Sequence, residues 1–287
     1  MAHAALERGL SFLALTDHNT SSGRAELERI LPGFLLLPGV ELTTYYGHAT
    51  AIGIEEWLDW TAIKAGRGMH ALANKVALAG GILSIAHPFA PGDPICTGCA
   101  WMYFDLRPEN TAHLEVWNSE WREPYNRAAL EHWYSLLESG KRVIATVGSD
   151  IHGPSYTAGH GFTCTPTTSS RAQLLEQLRA GNTYLARRAT LEPRVRTEAG
   201  DAELGSVQPK GTWTLELRWK GVPLGSELHV IADGQREIFP LELEGQWTRA
   251  VEVERWLHFE IWRSDGELEL LTNPVFVERS PHSQGST

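Results

Sequence analysis

At 287 residues the chain is long enough for two domains of ordinary size. Its composition, 42% hydrophobic and 21% charged, is globular, and a formal net charge of −10 disfavours a nucleic-acid partner, which requires Lys and Arg to replace the counterions of phosphates. There is no apolar run long enough to span a bilayer and no basic-then-apolar leader, so the expectation is a cytoplasmic protein with no membrane partner.

In chain order, Met1 to Leu10 reads as a helix stopped by Gly9. Phe12 to Leu15 is a short apolar run that ends abruptly in Thr16, Asp17 and His18, the pattern of a strand buried on both faces of a parallel sheet. A capped helix follows over NTSSGRAELERIL, then FLLLPGVELTT, in which Pro38 and Gly39 mark a turn or bulge before Glu41. HATAIGI starts a third strand at His48, and GMHALANKVALA is helical up to Gly80 and Gly81. ILSIAHP ends at His87, and the Pro-, Gly- and aromatic-rich segment from Phe89 to Asn110 is a long loop of the kind that forms pocket walls. HLEVWN carries Glu115, RVIATVGSDIH carries Asp150 and His152, and a helix at RAQLLEQLRAG with a strand at NTYLARRA closes the unit near Arg188.

The βα order predicts a parallel sheet or barrel over residues 1–188. From Leu191 to Glu278 the texture changes to alternating runs separated by turn signals such as Asp233-Gly234 and Asp265-Gly266, which predicts a small antiparallel β-sandwich over 191–278, with a flexible tail at 279–287.

Five apolar runs stop at metal-ligand chemistry, and the carboxyl ends of parallel strands share a rim. His18, His87 and His152 directly follow such runs, and His48 gains weight from its neighbour Glu41. Glu41 and Asp150 are carboxylates where strands leave the sheet, positions that are costly without a cation. The candidate metal ligands are therefore His18, Glu41, His48, His87, Asp150 and His152, with Asp17 and Glu115 as ligands or as groups that orient ligating imidazoles. Imidazole with carboxylate suits Zn, Mn or Fe. His160 is a candidate for touching substrate, while His3, His70, His113, His132, His229, His258 and His282 lie away from the rim. Cys96 and Cys99 form a CxxC without a second pair, read as free thiols in a variable loop, with structural zinc or redox chemistry as the other readings.

The motifs TDHNT, PGVELTT, GHATAIG, AHPF, EVWNS and GSDIHG resemble, in their order, those of the PHP (polymerase and histidinol phosphatase) metallohydrolases, especially the CehA/McbA-type branch. The resemblance implies a distorted (β/α)7 barrel, up to three divalent metals, and hydrolysis of phosphoesters or of carbamate- or amide-like bonds in a small-molecule substrate. It pairs His18 with His152 on one metal, makes Glu41 a bridge between the other two, and assigns His48 and His87 to one of these and Asp150 to the other. Asp150 or His160 would protonate the leaving group. The family's first strand, with its HxH, has no counterpart here: either the sequence is a shortened reading of a longer one, or part of the site is lost, for which the expectation is fewer metals, an exposed strand edge that favours a homo-oligomer, and the rival reading of a non-catalytic metal- or ligand-binding relic.

Overall fold

The computed structural model describes residues 2–64, 66–153 and 160–279. Its first helix, α1 (Ala2–Glu7), stops before Gly9, whose φ of 73° suits glycine, and β1 (Phe12–Ala14) follows. Through α2 (Gly23–Ile30) the chain returns as β2 (Leu35–Leu37), parallel to β1 in a two-stranded sheet. Leu27 and Leu31 pack with Leu36, Leu13 and Leu15, an apolar layer on one side. β1 is consequently half-buried, not buried on both faces as its apolar run predicts.

Pro38 ends β2, because it has no amide hydrogen to continue the ladder, and β3 (Gly39–Thr44) enters a different sheet. Gly39 permits this crossing: a Cβ there would stand 2.8 Å from the Ala51 carbonyl oxygen and 2.9 Å from Thr16 Cγ2. The second sheet has five strands in the order β3, β4 (Gly47–Ile52), β5 (Ile82–Ile85), β6 (His113–Asn118) and β7 (Ile144–Gly148). α3 (Met69–Leu78) covers one face, where Leu72 and Val76 join Leu42, Ala49, Ala51 and Leu83. Each Leu or Val among them contributes roughly 1.5–3 kcal/mol when fully buried.

The expected (β/α)7 barrel is not what forms. β3 and β4 are antiparallel, as are β4 and β5, while β5 and β6 are parallel. Only Tyr45 and Tyr46 separate β3 from β4, and a parallel pair needs a crossover of about a dozen residues. A hairpin is the only connection that length allows. No barrel closes among the described residues, and strands outweigh the five short α-helices, so the fold is mostly β. The NTYLARRA strand, expected to complete the barrel, is β9 (Tyr184–Ala186); it runs antiparallel to β8 (Phe162–Cys164) in another sheet altogether. α4 (Pro124–Glu138) and α5 (Arg171–Ala180) complete the helices.

By its internal contacts the chain divides into two units: Met1–Trp133, Ala145–Gly161 and Thr167–Arg179 form one; Tyr134–Ile144, Phe162–Pro166 and Ala180–Thr287 form the other. In the second, β10 (Thr190–Thr197), β11 (Gly200–Ala202), β13 (Gly211–Lys220) and β16 (Gly245–Val253) make a four-stranded sheet. A larger sheet holds β8, β9, β12 (Val207–Gln208), β14 (Glu227–Ala232), β15 (Gln235–Pro240), β17 (Trp256–Trp262), β18 (Leu268–Thr272) and β19 (Val275–Val277). Its β12 and β19 are parallel, an exception to the antiparallel pattern. Leu191, Trp213 and Leu217 of one sheet share an apolar core with Leu228, Phe259 and Leu270 of the other. The Asp233-Gly234 signal becomes the two-residue turn between β14 and β15, with φ of 56° and 87° at its two positions. The tail at 280–287 lies outside the described residues, and no helix among those described is long and apolar enough to cross a membrane.

Inside this unit Glu260 has no exposed surface. It accepts hydrogen bonds from the Tyr134 hydroxyl and, at 2.6 Å, from the Trp262 indole, with His258 Nε2 at 3.0 Å and Arg236 at 3.6 Å. Burial alone would raise the carboxyl pKa, but His258, Arg236 and Tyr134 together hold it below its ordinary 4.5. A carboxyl held lower in the folded chain binds fewer protons there than when unfolded. Its contribution is therefore complete above about pH 4.5 and is lost as pH falls toward the depressed value. Glu260→Gln is expected to cost about 1.5–3 kcal/mol in urea unfolding at neutral pH and to give a shallower loss of stability on acidification than the parent shows.

Candidate metal centre

Strand alternation sorts the hairpin into two faces. Val40, Leu42, Ala49 and Ala51 turn toward the α3 core, so Glu41, Thr43, His48 and Thr50 share the opposite face, with Thr43 paired to His48 and Glu41 to Thr50. This places Glu41 diagonally across the ladder from His48. β5 delivers His87 to the same place: the Ala86 amide bonds to the His48 carbonyl at 3.0 Å, and His87 follows with φ of 28°, a left-handed conformation unusual for histidine. Its amide donates to Glu115 Oε1 at 3.2 Å, and Asn118 Nδ2 donates to the same oxygen at 2.8 Å. Asn118 is held in turn by Asn126 and Tyr125.

Three buried groups therefore meet, with His48 Nδ1 3.0 Å and His87 Nε2 3.7 Å from Glu41 Oε1. Close as they are, Glu41 Oε1 and both ring nitrogens of His48 lack an aligned hydrogen-bond partner, and so does His87 Nδ1. Buried polar atoms are nearly always satisfied. Ligands of one tetrahedral zinc, at bond lengths of 2.0–2.1 Å, stand about 3.3 Å apart, and the two separations here bracket that value. The donor set and its unsatisfied lone pairs thus fit a divalent cation. Without one, the electrostatics are those of a tight ion pair: burial raises Glu41, but the imidazoles of His48, His87 and His18 bring it down to about 2. Burial likewise lowers His87, but Glu41, Glu115 and Asp150 lift it to about 9. Burial raises Glu115 to about 7.

A second group borders the first. Beyond β1 the chain keeps pairing with β3 through a parallel bridge between His18 and Glu41, with Asn19 N–H to the Glu41 carbonyl at 2.8 Å. That brings His18 Nδ1 to 2.6 Å from Thr43 Oγ1 and 3.5 Å from Glu41 Oε2. His18 Nε2 stands 2.9 Å from His152 Nε2, and His152 Nδ1 is 3.5 Å from Asp150 Oδ1. Asp150, like His87, has a left-handed backbone, with φ of 49°. The two groups differ in exposure: His48 and His87 side chains are 5% exposed, while His18 is 44% and His152 64% exposed.

Of the sequence candidates, His18, Glu41, His48, His87 and His152 come together, with Asp150 beside His152. Asp17 turns elsewhere: its carboxylate lies over Gly23, where a Cβ would be 2.7 Å from Oδ2. Glu115 supports the His87 backbone. His160 is buried, bridges to Glu120 and has Nε2 3.5 Å from Ser119 Oγ. Pro154 to Gly159, within the same sequence motif, lie outside the described residues. His229 and His258 belong to the Glu260 cluster.

One grouping was missed. Cys99 is buried, and its sulfur lies with ligand atoms of His48 and His87 in a group whose members are all within 4.8 Å of one another. The loop that carries it is seated on the β3–β4 hairpin: a Cβ on Gly98 would meet the Thr44 carbonyl oxygen, Trp101 packs over Gly47, and the Met102 amide bonds to the Tyr46 carbonyl at 2.7 Å. Cys96 and Cys99 are joined as a disulfide, which corrects the free-thiol reading. The CxxC was a visible signal, but nothing local tied it to histidines in other strands.

No family model and no curated protein matches the chain. Among solved structures, a Niemann-Pick type C2 protein from the Japanese carpenter ant is similar over 30% of this chain and 89% of its own, at 10% identity and a TM-score of 0.20, a likeness too low to carry an argument.

Proposed function

We propose that the chain is a metal-dependent hydrolase, acting first on phosphoesters of small molecules, with its cation held by Glu41, His48 and His87. The observation that carries this reading is the buried convergence of His48 Nδ1 and His87 Nε2 on Glu41 Oε1, with Glu41 Oε1 and both His48 nitrogens lacking an aligned partner. The motif resemblance to PHP metallohydrolases supports the same chemistry, independently of the barrel, which this chain does not adopt. Zinc, manganese and iron all suit two imidazoles and a carboxylate. On composition, we place the protein in the cytoplasm.

A divalent cation at such a site lowers the pKa of a water and polarises a phosphoryl or carbonyl oxygen. The chain's own residues do the rest. Glu41 offsets cationic charge where solvent cannot, and Glu115, gripping the His87 amide, fixes the direction of that imidazole. His18 and His152 form the exposed border, where a weaker second cation or the substrate's anionic group would sit. Asp150, exposed beside His152, would supply the proton that the leaving oxygen takes, with His160 as the alternative donor. Because the Glu41, His48 and His87 set is buried while His18 and His152 are exposed, the chain should bind about one metal tightly, three protein ligands being the number that leaves a position for water.

Protein stripped with a chelator and reloaded should hold about one zinc or manganese per chain by elemental analysis. At a free metal concentration a hundredfold above Kd, stability should rise by about 2.7 kcal/mol. His48→Ala should abolish both effects, whereas His18→Ala and His152→Ala should keep the tight metal. The loaded protein should turn over an aryl phosphate faster than an aryl carbamate; the reverse order would reassign the substrate class. Failure to bind zinc, manganese or iron, with no turnover on either ester, would sink the reading. Asp150→Asn should slow an alkyl phosphate by about 10²–10⁴-fold and a nitrophenyl phosphate much less, because a good leaving group needs no proton.

A further inference from the structure

His48 and His87 lie near two further donors. Glu41 Oε1 is 3.0 Å from His48 Nδ1 and 3.7 Å from His87 Nε2, and the Cys99 sulfur shares with the two histidines a group no wider than 4.8 Å. Both ring nitrogens of His48 are buried without an aligned partner, as is Nδ1 of His87, so the sulfur approaches imidazoles that still lack something to bind. Soft thiolate with imidazole is a favoured donor combination for zinc and cobalt. The position is not accidental: Gly98, at φ of 76°, lies so close to the Thr44 carbonyl that no side chain fits there, and this close approach seats Cys99 against the hairpin that carries His48.

Cys96 supplies the second half of the argument. Its Cα is 5.5 Å from that of Cys99, and the two sulfurs are bonded. A disulfide sulfur has no thiolate charge and is a poor ligand, so the same loop can offer a strong donor or a weak one. The two cysteines also differ in access: Cys96 is partly exposed and Cys99 is 6% exposed. An external thiolate therefore attacks the Cys96 sulfur, and the S–S bond breaks with its electron pair leaving on Cys99 as a thiolate, the form a cation takes up. A second external thiolate then attacks the mixed disulfide at the external sulfur and frees Cys96. In balance, two external thiols are oxidised to their disulfide and the protein disulfide is reduced to two thiols, the Cys99 proton remaining in solvent once the cation binds.

Resting on the assignment of His48 and His87 as metal ligands, we propose that Cys99 ligates a divalent cation held by these two histidines when the Cys96–Cys99 pair is reduced, and that oxidation to the disulfide by a small-molecule disulfide withdraws it. This makes the loop a redox-gated ligand of the centre.

The probe is cobalt(II), titrated into the full chain after metal removal, with the near-ultraviolet thiolate-to-cobalt charge-transfer band as the readout and the visible cobalt bands as an independent measure of binding. Reduced protein should bind cobalt and show the charge-transfer band. Protein oxidised with glutathione disulfide, its disulfide verified by mass spectrometry, should bind cobalt without that band. Under reduction, Cys96→Ser should keep the band and Cys99→Ser should lose it while retaining the visible bands. Cobalt bound by the reduced parent without a charge-transfer band, or a band that survives in Cys99→Ser, would overturn the proposal and leave the metal centre standing. A band that persists in the verified disulfide form would overturn the gating. Absence of all cobalt bands in every form would take down the histidine centre as well, so the two failures are separable.

Discussion

A carboxylate cannot be taken out of water cheaply, and Glu41 is taken out of water on a strand that also feeds an apolar core. The alternation of β3 forces this: Val40 and Leu42 can face the α3 core only if Glu41 faces the other way, toward His48 and His87. Burial of the carboxylate becomes tolerable because positive charge is supplied there, by protonated imidazole or by a cation. Much of the first unit serves that condition. Pro38 and Gly39 turn the strand into the right sheet, the two-residue hairpin sets His48 diagonally across from Glu41, and Glu115 fixes the residue that carries the third donor.

The second unit buries a glutamate too, and resolves it differently. Glu260 is saturated by protein donors, a phenol, an indole, an imidazole and a nearby guanidinium, so it has no remaining valence for a ligand. Glu41 Oε1 instead faces His48 Nδ1 at 3.0 Å without an aligned hydrogen bond and His87 Nε2 at 3.7 Å. The two buried carboxylates thus differ in whether their oxygens are already used: Glu41 Oε1 has no aligned partner, whereas Glu260 accepts from the Tyr134 phenol and the Trp262 indole. That contrast separates a structural cluster from a site better than burial or charge does.

Much of the cluster was legible in the residue order because a polar residue that ends an apolar run leaves a visible edge in hydropathy. His18, His87, Asp150 and His152 were singled out that way, and Glu41 by its place just past Pro38-Gly39, and the fold brings them near one another. The architecture was less legible. Local periodicity marks strands but not their partners, and Tyr45-Tyr46 lacks the Asn-Gly or Asp-Gly signature that made the β14–β15 turn readable; the positive φ falls on Gly47, one position later. Read without that hairpin, the βα order implied a barrel. The strand at Tyr184–Ala186 looked like a barrel strand for the same reason, although its partners lie in the antiparallel sheet. The grouping of Cys99 with His48 and His87 was not legible, because it exists only after the loop folds back onto the hairpin.

The left-handed backbones of His87 and Asp150 have a consequence for how the chain can change over time. At both positions glycine is the residue the backbone prefers, since any side chain there carries a conformational penalty. Selection for a more robust fold and selection for what the side chain does therefore pull on the same two codons in opposite directions. A lineage that stopped needing the side-chain chemistry would be free to drift toward glycine at these sites, whereas one that retains histidine and aspartate there keeps them against the grain of its own backbone.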